Sequence, residues 1–539
     1  MPIQSSLPLI DIPKIAFHQV IISEIEKYRC RTAVVSDLAR EVLQIDHDTD
    51  SSITFGEIID KANYVARSLL SLGVEKGEAV ILCVPMSVDF LWLFLGISMA
   101  GAMVCCLSPE FSIEEMQFQI IDSSTRFAFV APKAINNLTA VFSSVEYAHR
   151  TVCVGKREDS NGYPIIEDLR ISSNSWTKPF PAINAVDDFV MLPYSCGTSG
   201  PRKGVAISHY ILNGMITIFN NKDAYDLPEP GDCVMIKASV HDAFGRDALF
   251  SSLMNGATII CSAQSEDIFA KCIQTYKVRM CFLSPFILKR LCVPEIAGKM
   301  CLSSLDTIVI GTAKADETTM KMAFKLLPSV TKYSAVYGMT EVGSISRTKK
   351  NMPFNNQSCG PLCSGLSLKV INLFNGKELP EYSQGLILIS GETVLSPYWN
   401  DDKATAEDFK FDGWRNTGDI GYYDKKGNIF LVDRLKHVII VDGNQVAPQE
   451  LEGIFLSHPK ISEAAVVSVR DQNYAEFPIA FVVLKPKCYA TSDEILEFIN
   501  SRVVAFKRIS KVIFTLTLPR TASGKILRRL LKEAATHYI

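Results

Sequence analysis

Between residues 78 and 130 the chain alternates apolar runs with helix-period segments, and this alternation leaves few folds open. Ala79-Val-Ile-Leu-Cys-Val84 is apolar at every position, whereas a strand with one wet face would alternate. Helical patterns start at Val88 and Ile113, with further strand-like runs at 102–107 and 127–130. Strand and helix in turn imply βαβ units and a parallel sheet covered by helices. The expected fold class is α/β, a large N-terminal domain of doubly wound sheets. Such sheets bind ligands beyond the carboxyl ends of their strands.

Residues 90–107 form 18 consecutive positions without a charge, near the lower limit for a membrane span. Pro85 and Asp89 bound the run, while Gly96, Ser98 and Gly101 interrupt it. No cationic flank orients it. The reading is a buried helix followed by a buried strand, and no transmembrane segment is expected. A chain of 539 residues implies two or three domains. A net charge of −3 leaves no electrostatic footprint for nucleic acid. The 15 cysteines form no C-x-x-C pair and read as reduced thiols. The start lacks a basic region followed by an apolar core. The end, His537-Tyr-Ile539, differs from a Ser-Lys-Leu type peroxisomal address. The expected compartment is the cytoplasm.

Further along, a helix is expected over 16–27, another over 58–72 and a third over 210–219. Strands are expected at 234–238, 256–261, 281–285 and 305–311. The loops at 284–286 and 311–314 are candidate pocket walls. From about 355 turn signals multiply: Cys359-Gly-Pro, Asn375-Gly, Asp412-Gly and Lys426-Gly. That pattern marks a small β-rich subdomain over 355–433 within an N-terminal domain of 1–433. A compact α+β C-terminal domain follows over 434–539.

Six short stretches carry chemistry. Ser195-Cys-Gly-Thr-Ser-Gly-Pro-Arg-Lys-Gly204 is dense in small and hydroxylated residues. It suits a loop whose backbone N–H groups and hydroxyls converge on one anion, with Lys203 adding a point charge. Its spacing is not that of a Walker A loop, since Arg202 stands where Gly is needed. In Tyr337-Gly-Met-Thr-Glu341 an aromatic can stack on a base, Thr340 can bond a phosphate, and Glu341 can hold Mg2+ with hard oxygens. In Thr417-Gly-Asp419 one carboxylate can accept from two vicinal hydroxyls. The remaining three are Asp433-Arg-Leu-Lys436, Gly443-Asn-Gln-Val-Ala-Pro-Gln-Glu-Leu-Glu452 and Pro519-Arg-Thr-Ala-Ser-Gly-Lys525.

Taken in order, these stretches resemble the adenylate-forming (AMP-binding) superfamily, nearest to its acyl-CoA synthetase, coumarate-CoA ligase and luciferase-like branch. The resemblance spans nearly the whole chain. It implies an acid–thiol ligase that joins a small carboxylic acid to CoA through acyl-AMP, with ATP and CoA as substrates and Mg2+ assisting. It implies nucleotide binding by Ser195, Gly197, Thr198, Ser199, Gly200, Lys203, Tyr337, Gly338, Asp419 and Arg434. Thr340, Glu341 and Lys525 would be catalytic, Glu341 would hold the metal, and Lys436 would be the hinge of a mobile C-terminal domain. His241, Gly311, Thr312, Gly443 and Gln445 would serve the acid pocket and CoA. The pocket itself would be lined from 239–249, 284–288, 311–315 and 337–343.

The chain departs from the family pattern at four places. Ile440 and Asp442 stand where the family carries lysines, which predicts a handicapped phosphate contact unless His437 or Arg202 supplies the charge. Counting back from Gly245, Asp242 occupies the usual histidine position, with His241 one earlier. Pro201-Arg202 inverts the usual order before Lys203. The alternatives are a catalytically impaired nucleotide- or acyl-binding homologue, or an adenylating enzyme with an acceptor other than CoA.

Overall fold

The computed structural model describes residues 2–36, 51–145, 149–169, 179–195, 202–261, 266–293, 300–441, 444–470, 476–521 and 524–536. Two large sheets dominate the N-terminal part. One runs in the spatial order Gly343–Arg347, Lys332–Met339, Thr307–Ile310, Met280–Leu283, Cys233–Lys237, Thr258–Cys261, Thr32–Ser36, Ser51–Thr54. Its six inner strands are parallel and its two edge strands antiparallel. The second sheet runs Arg150–Cys153, Phe127–Val130, Ala79–Cys83, Met103–Cys106, Phe189–Met191, Ile207–Ser208. It too is parallel up to its last, antiparallel strand.

The continuous apolar strands are buried on both faces, as their composition requires. In Ala79–Cys83, Val80 and Leu82 join one core while Ala79, Ile81 and Cys83 join another. The strand Met280–Leu283 divides likewise: Met280 and Phe282 face the first core, Cys281 and Leu283 a third. The first core therefore lies between the two sheets, filled by helices. Helix Val88–Met99 is part of it, buried at every position from Phe90 onward. The uncharged stretch is thus a core helix plus the strand Met103–Cys106. Among the described residues no helix is long and apolar enough to cross a membrane.

Helix boundaries follow local capping. Thr54 accepts from the Glu57 amide and Glu57 reaches back to the Thr54 amide, so the second helix starts at Phe55 rather than at 58. A five-stranded antiparallel sheet, Ile3–Gln4, Ser367–Ile371, Gly385–Ser390, Arg415–Tyr423 and Ile429–Arg434, forms the β-rich region. The last part holds the hairpin Ile439–Val441/Asn444–Val446 and a sheet of Ile461–Arg470, Glu476–Leu484 and Lys511–Phe514. The buried ion pair between Arg528 and Glu452 ties its last helix, Arg528–Ala535, to Pro448–Leu456.

Candidate active site

The phosphate-type loop is a hairpin with a closed neck. Tyr194 pairs with Gly204, the Ser195 amide donates to the Lys203 carbonyl at 2.9 Å, and the Val205 amide donates to the Pro193 carbonyl at 2.8 Å. Gly197, Thr198, Ser199 and Gly200, predicted at its tip, lie outside the described residues. The descending limb pairs with a segment that the motifs did not flag. Val205 bridges Tyr398, and the Trp399 amide donates to the Gly204 carbonyl at 2.8 Å. A Cβ on Gly204 would stand 3.2 Å from Tyr194 and Trp399 atoms, so both limbs close on this glycine.

Tyr398 then links this loop to the Tyr337–Glu341 turn. Its hydroxyl lies 2.9 Å from Glu341 Oε1 and 2.8 Å from Asp408 Oδ2. Lys203 Nζ stands 4.6 Å from the centre of its ring, and the fully buried Arg415 stacks on the ring at 5.5 Å. Burial and the two carboxylates push the Tyr398 hydroxyl well above its usual range. It therefore stays protonated and donates. In the sequence Tyr398 reads only as a residue ahead of the helix Asp402–Asp408, capped by Asp401. Nothing linear connects it to Glu341.

The strand Lys332–Met339 carries Tyr337 and Gly338, with a bulge between them, into the turn that bears half-buried Thr340 and buried Glu341. Gly338 is required by close approach: a Cβ there would fall 2.2 Å from the Gly343 carbonyl oxygen. The buried Tyr337 hydroxyl donates to Asp419 Oδ2 at 2.7 Å. Asp419 Oδ1 accepts from Arg434 Nε at 2.8 Å. Asp419 and Arg434 face each other across neighbouring strands. Burial raises the Asp419 carboxyl, and Arg434 and Tyr337 pull it back. Each carboxylate oxygen thus already has one donor, where the sequence suggested a carboxylate waiting for two hydroxyls.

Arg434 leads into an exposed turn that holds Lys436. The preceding Asp433 is buried and ties this turn to the helix Pro448–Leu456. Its oxygens accept from the Arg434 amide at 2.6 Å and from the Gln449 amide at 2.9 Å. The second contact caps the start of that helix. His437 Nδ1 lies 3.4 Å from the same carboxylate. Arg202 lies 2.6 Å from Glu115 and stacks on Phe111. These two were the alternative sources of the charge missing at 440 and 442, and each has a carboxylate partner here. Ile440 pairs in register with Gln445. Their side chains, together with Asp442 and Gly443, lie outside the described residues.

The acid-side residues gather around the helix Ala243–Met254, which starts after Asp242. Phe244 covers Gly311 so closely that a Cβ there would meet the ring at 2.7 Å. Thr312 follows with φ of 70°. His241 is half-buried, edge-on to Phe90, and its Nδ1 has no partner. Burial lowers its pKa to about 4, so the ring is neutral. One turn beyond Phe244, Arg246 and Asp247 form a fully buried ion pair at 2.8 Å. The motifs gave no sign of this pair.

Lys525 sits in the C-terminal loop, and that loop packs on Phe286, within the 284–288 stretch expected to line the pocket. The Lys525 amide donates to Thr521 Oγ1 at 3.1 Å, and Gly524 takes φ of 85°. Gly524 stands against Phe286, where a Cβ would be 3.0 Å from that residue's Cβ, and Arg520 stacks on the Phe286 ring at 4.9 Å. Lys289, on the same helix as Phe286, Pro285–Leu291, donates to the Ser462 carbonyl at 2.7 Å.

Comparison with known proteins shows the family and the fold. The family model for AMP-binding enzymes matches residues 23–399, and the model for the AMP-binding enzyme C-terminal domain matches 450–525. A 4-coumarate–CoA ligase of Arabidopsis thaliana is 31% identical over 508 residues, covering 90% of this chain and 87% of the relative. One from Humulus lupulus is 29% identical over 98% of this chain and 96% of the relative. Among solved structures, an anthranilate–CoA ligase in complex with anthranoyl-AMP superposes with a TM-score of 0.84 at 23% identity, over 97% of this chain and 98% of that one. ATP-bound MatB from Rhodopseudomonas palustris gives 0.82 at 23% identity, over 96% and 98%. The chain belongs to the AMP-binding enzyme family of adenylate-forming CoA ligases.

Proposed function

We propose that this protein activates a carboxylic acid with ATP and passes the acyl group to CoA. A carboxylate oxygen attacks the α-phosphorus, and the bond to the pyrophosphate oxygen breaks. The CoA sulfur then attacks the acyl carbonyl, AMP departs with the electrons of the broken acyl–phosphate bond, and the thiol proton passes to solvent. The observation that carries this reading is the meeting of Tyr337, Asp419 and Arg434, three motif residues far apart in sequence, on one buried carboxylate.

Asp419 and Arg434 would hold the ribose and Tyr337 the base. Ser195, Gly197, Thr198, Ser199, Gly200 and Lys203 would cradle the departing pyrophosphate, with Gly338 and Thr340 at the α-phosphate. Lys525 would bring its ammonium to the carboxylate and α-phosphate as negative charge gathers there. Gly311, Thr312 and His241 would line the acid pocket, and Gly443 and Gln445 the CoA path. Glu341 is a buried carboxylate with hard oxygens beside the hydroxyl of Tyr398, whose ring Lys203 covers, which suits Mg2+ arriving with the nucleotide. That ion keeps phosphate and water ligands and needs only one or two carboxylates. It would neutralise phosphate charge. The domains are proposed as 1–433, with the β-rich part at 355–433, and 434–539, turning about Lys436. The proposed compartment is the cytoplasm.

An ATP–pyrophosphate exchange screen over short, long and aromatic acids tests the first step, and thioester formation with CoA the second. Exchange with no acid overturns the reading. A second reading, an impaired binder or an enzyme with a different acceptor, is favoured by Ile440 and Asp442. Restoring Ile440→Lys with Asp442→Lys should raise thioester formation from preformed acyl-AMP by about 5- to 150-fold. No gain would show that these positions do not limit the second step.

A further inference from the structure

The helix Ala243–Met254 crosses between the Gly311 loop and the Lys332–Arg347 hairpin. Phe244 faces Gly311. Asp247 lies three residues on, one turn along the same face. There it meets the hairpin: a Cβ on Gly343 would be 3.4 Å from Asp247 Oδ2, and the Gly343 carbonyl in turn crowds Gly338. Gly343 takes φ of 76°, so the hairpin presents backbone rather than a side chain to this carboxylate.

The carboxylate is used on one side only. Arg246 Nε and Nη2 both reach Asp247 Oδ1, at 2.9 and 2.8 Å. The remaining guanidinium contact, from Nη2, goes to the sulfur of Met215 at 3.3 Å. Asp247 Oδ2 is buried with no hydrogen-bond partner. The residue as a whole is 0% exposed. A buried acceptor of this kind is costly unless something donates to it. Nearby Cys363 accepts from the Tyr225 hydroxyl, and its own thiol does not reach Asp247 Oδ2. Charge decides the kind of donor. Arg246 and Asp247 already neutralise each other, so a further cation would leave net positive charge in a closed apolar site. A neutral donor adds a hydrogen bond and no charge.

We propose that Asp247 Oδ2 accepts a hydrogen bond from a neutral donor, a hydroxyl or an amide N–H, on the body of the substrate acid. Asp247 is then the residue that selects acids carrying such a group away from their carboxyl end. The inference rests on the ligase reading above and assigns the acid side of that site.

Matched acids test it: 4-coumarate against cinnamate, and a medium-chain fatty acid with and without a terminal hydroxyl. In at least one pair the wild-type enzyme should favour the hydroxylated acid in ATP–pyrophosphate exchange by about tenfold or more in kcat/KM, the scale of one hydrogen bond to a charged group. Asp247→Asn should cut that preference to below about threefold. Because this change strands Arg246, the double variant Arg246→Gln with Asp247→Asn removes both charges and should lose the preference as well. A preference unchanged in the variants, or an equal loss for both members of a pair, overturns the proposal. So does a wild-type preference for the plain acids in both pairs. Calorimetric binding of the same acids to the wild-type protein reads the contact without turnover and needs no variant to fold. Equal affinities within each pair overturn the proposal there. Absence of exchange with any acid would instead sink the ligase reading, and the calorimetric arm would still decide the role of Asp247.

Discussion

Two of the aspartate–arginine pairs around the candidate site are built on opposite plans. Asp419 and Arg434 come from neighbouring strands, and Tyr337 joins them from a third element. The arginine side chain is 45% exposed, so the pair opens to solvent. Arg246 and Asp247 are adjacent in one helix, exposed by only 2% and 1%. The first pair spends each carboxylate oxygen on a different partner. The second spends both arginine contacts on one oxygen and leaves the other bare. An open, cross-braced pair suits a ligand that comes and goes, since water can replace it. A sealed pair with one bare acceptor suits selection, since water cannot readily take the ligand's place.

Arginine deletions give the largest expected effect and the sharpest test of this contrast. Arg246→Ala leaves a buried carboxylate with no counter-charge, which costs about 3–5 kcal/mol of stability. Arg434→Ala should cost less, because the Tyr337 hydroxyl still donates to Asp419 and the half-exposed arginine leaves room for water. Denaturant unfolding of both variants reads the difference. Equal losses would erase the distinction between a sealed and an open pair.

Next in size is Lys525→Ala, which asks whether either pair takes part in chemistry. If Lys525 supplies charge only in the transition state, adenylate formation should fall by about 100- to 1000-fold while ATP binding holds within about threefold. Pyrophosphate exchange and equilibrium nucleotide binding measure the two separately. Survival of exchange within a few-fold would move the catalytic charge to another residue. A smaller effect is expected at the open pair. Asp419→Ala should weaken ATP binding itself by about 10- to 150-fold, and unchanged affinity would remove Asp419 from the nucleotide site.

The same contrast explains what the sequence disclosed. The nucleotide side was legible because its residues sit in short linear motifs, and because the strands beneath them are apolar throughout. Ala79–Cys83 and Phe127–Val130 could hardly be anything but buried parallel strands. On the acid side Arg246-Asp247 fell within the 239–249 stretch expected to line the pocket, but nothing in the sequence marked the two as a buried pair. A helix enclosed by one sheet and by neighbouring helices loses the amphipathic stripe that would mark such residues as interior. The Asp242 and His241 positions were equally ambiguous, since counting along a motif does not say which side chain turns inward; His241 does so with its Nδ1 unpartnered. Tyr398 escaped for a different reason. Its partners Glu341 and Asp408 lie 57 and 10 residues away, and no periodicity links them.

Tyr398 therefore gives the last and smallest test. It braces the open side, as Tyr337 braces Asp419. One hydroxyl proton serves two acceptors, buried Glu341 Oε1 at 2.9 Å and half-buried Asp408 Oδ2 at 2.8 Å. Asp408 has Arg415 Nη2 at 3.5 Å as a second neighbour, so Glu341 stands to lose more. Tyr398→Phe keeps the ring beneath Lys203 and over Arg415 and removes only the donor. The expected cost is about 1–2 kcal/mol, a loss of roughly 5- to 30-fold in adenylate formation. If Glu341 meets Mg2+, the loss should shrink as Mg2+ is raised, because the ion can replace the missing donor. A loss independent of Mg2+ would assign Tyr398 to folding of the 395–400 segment alone. No loss at all would show that the open side tolerates removal of a brace.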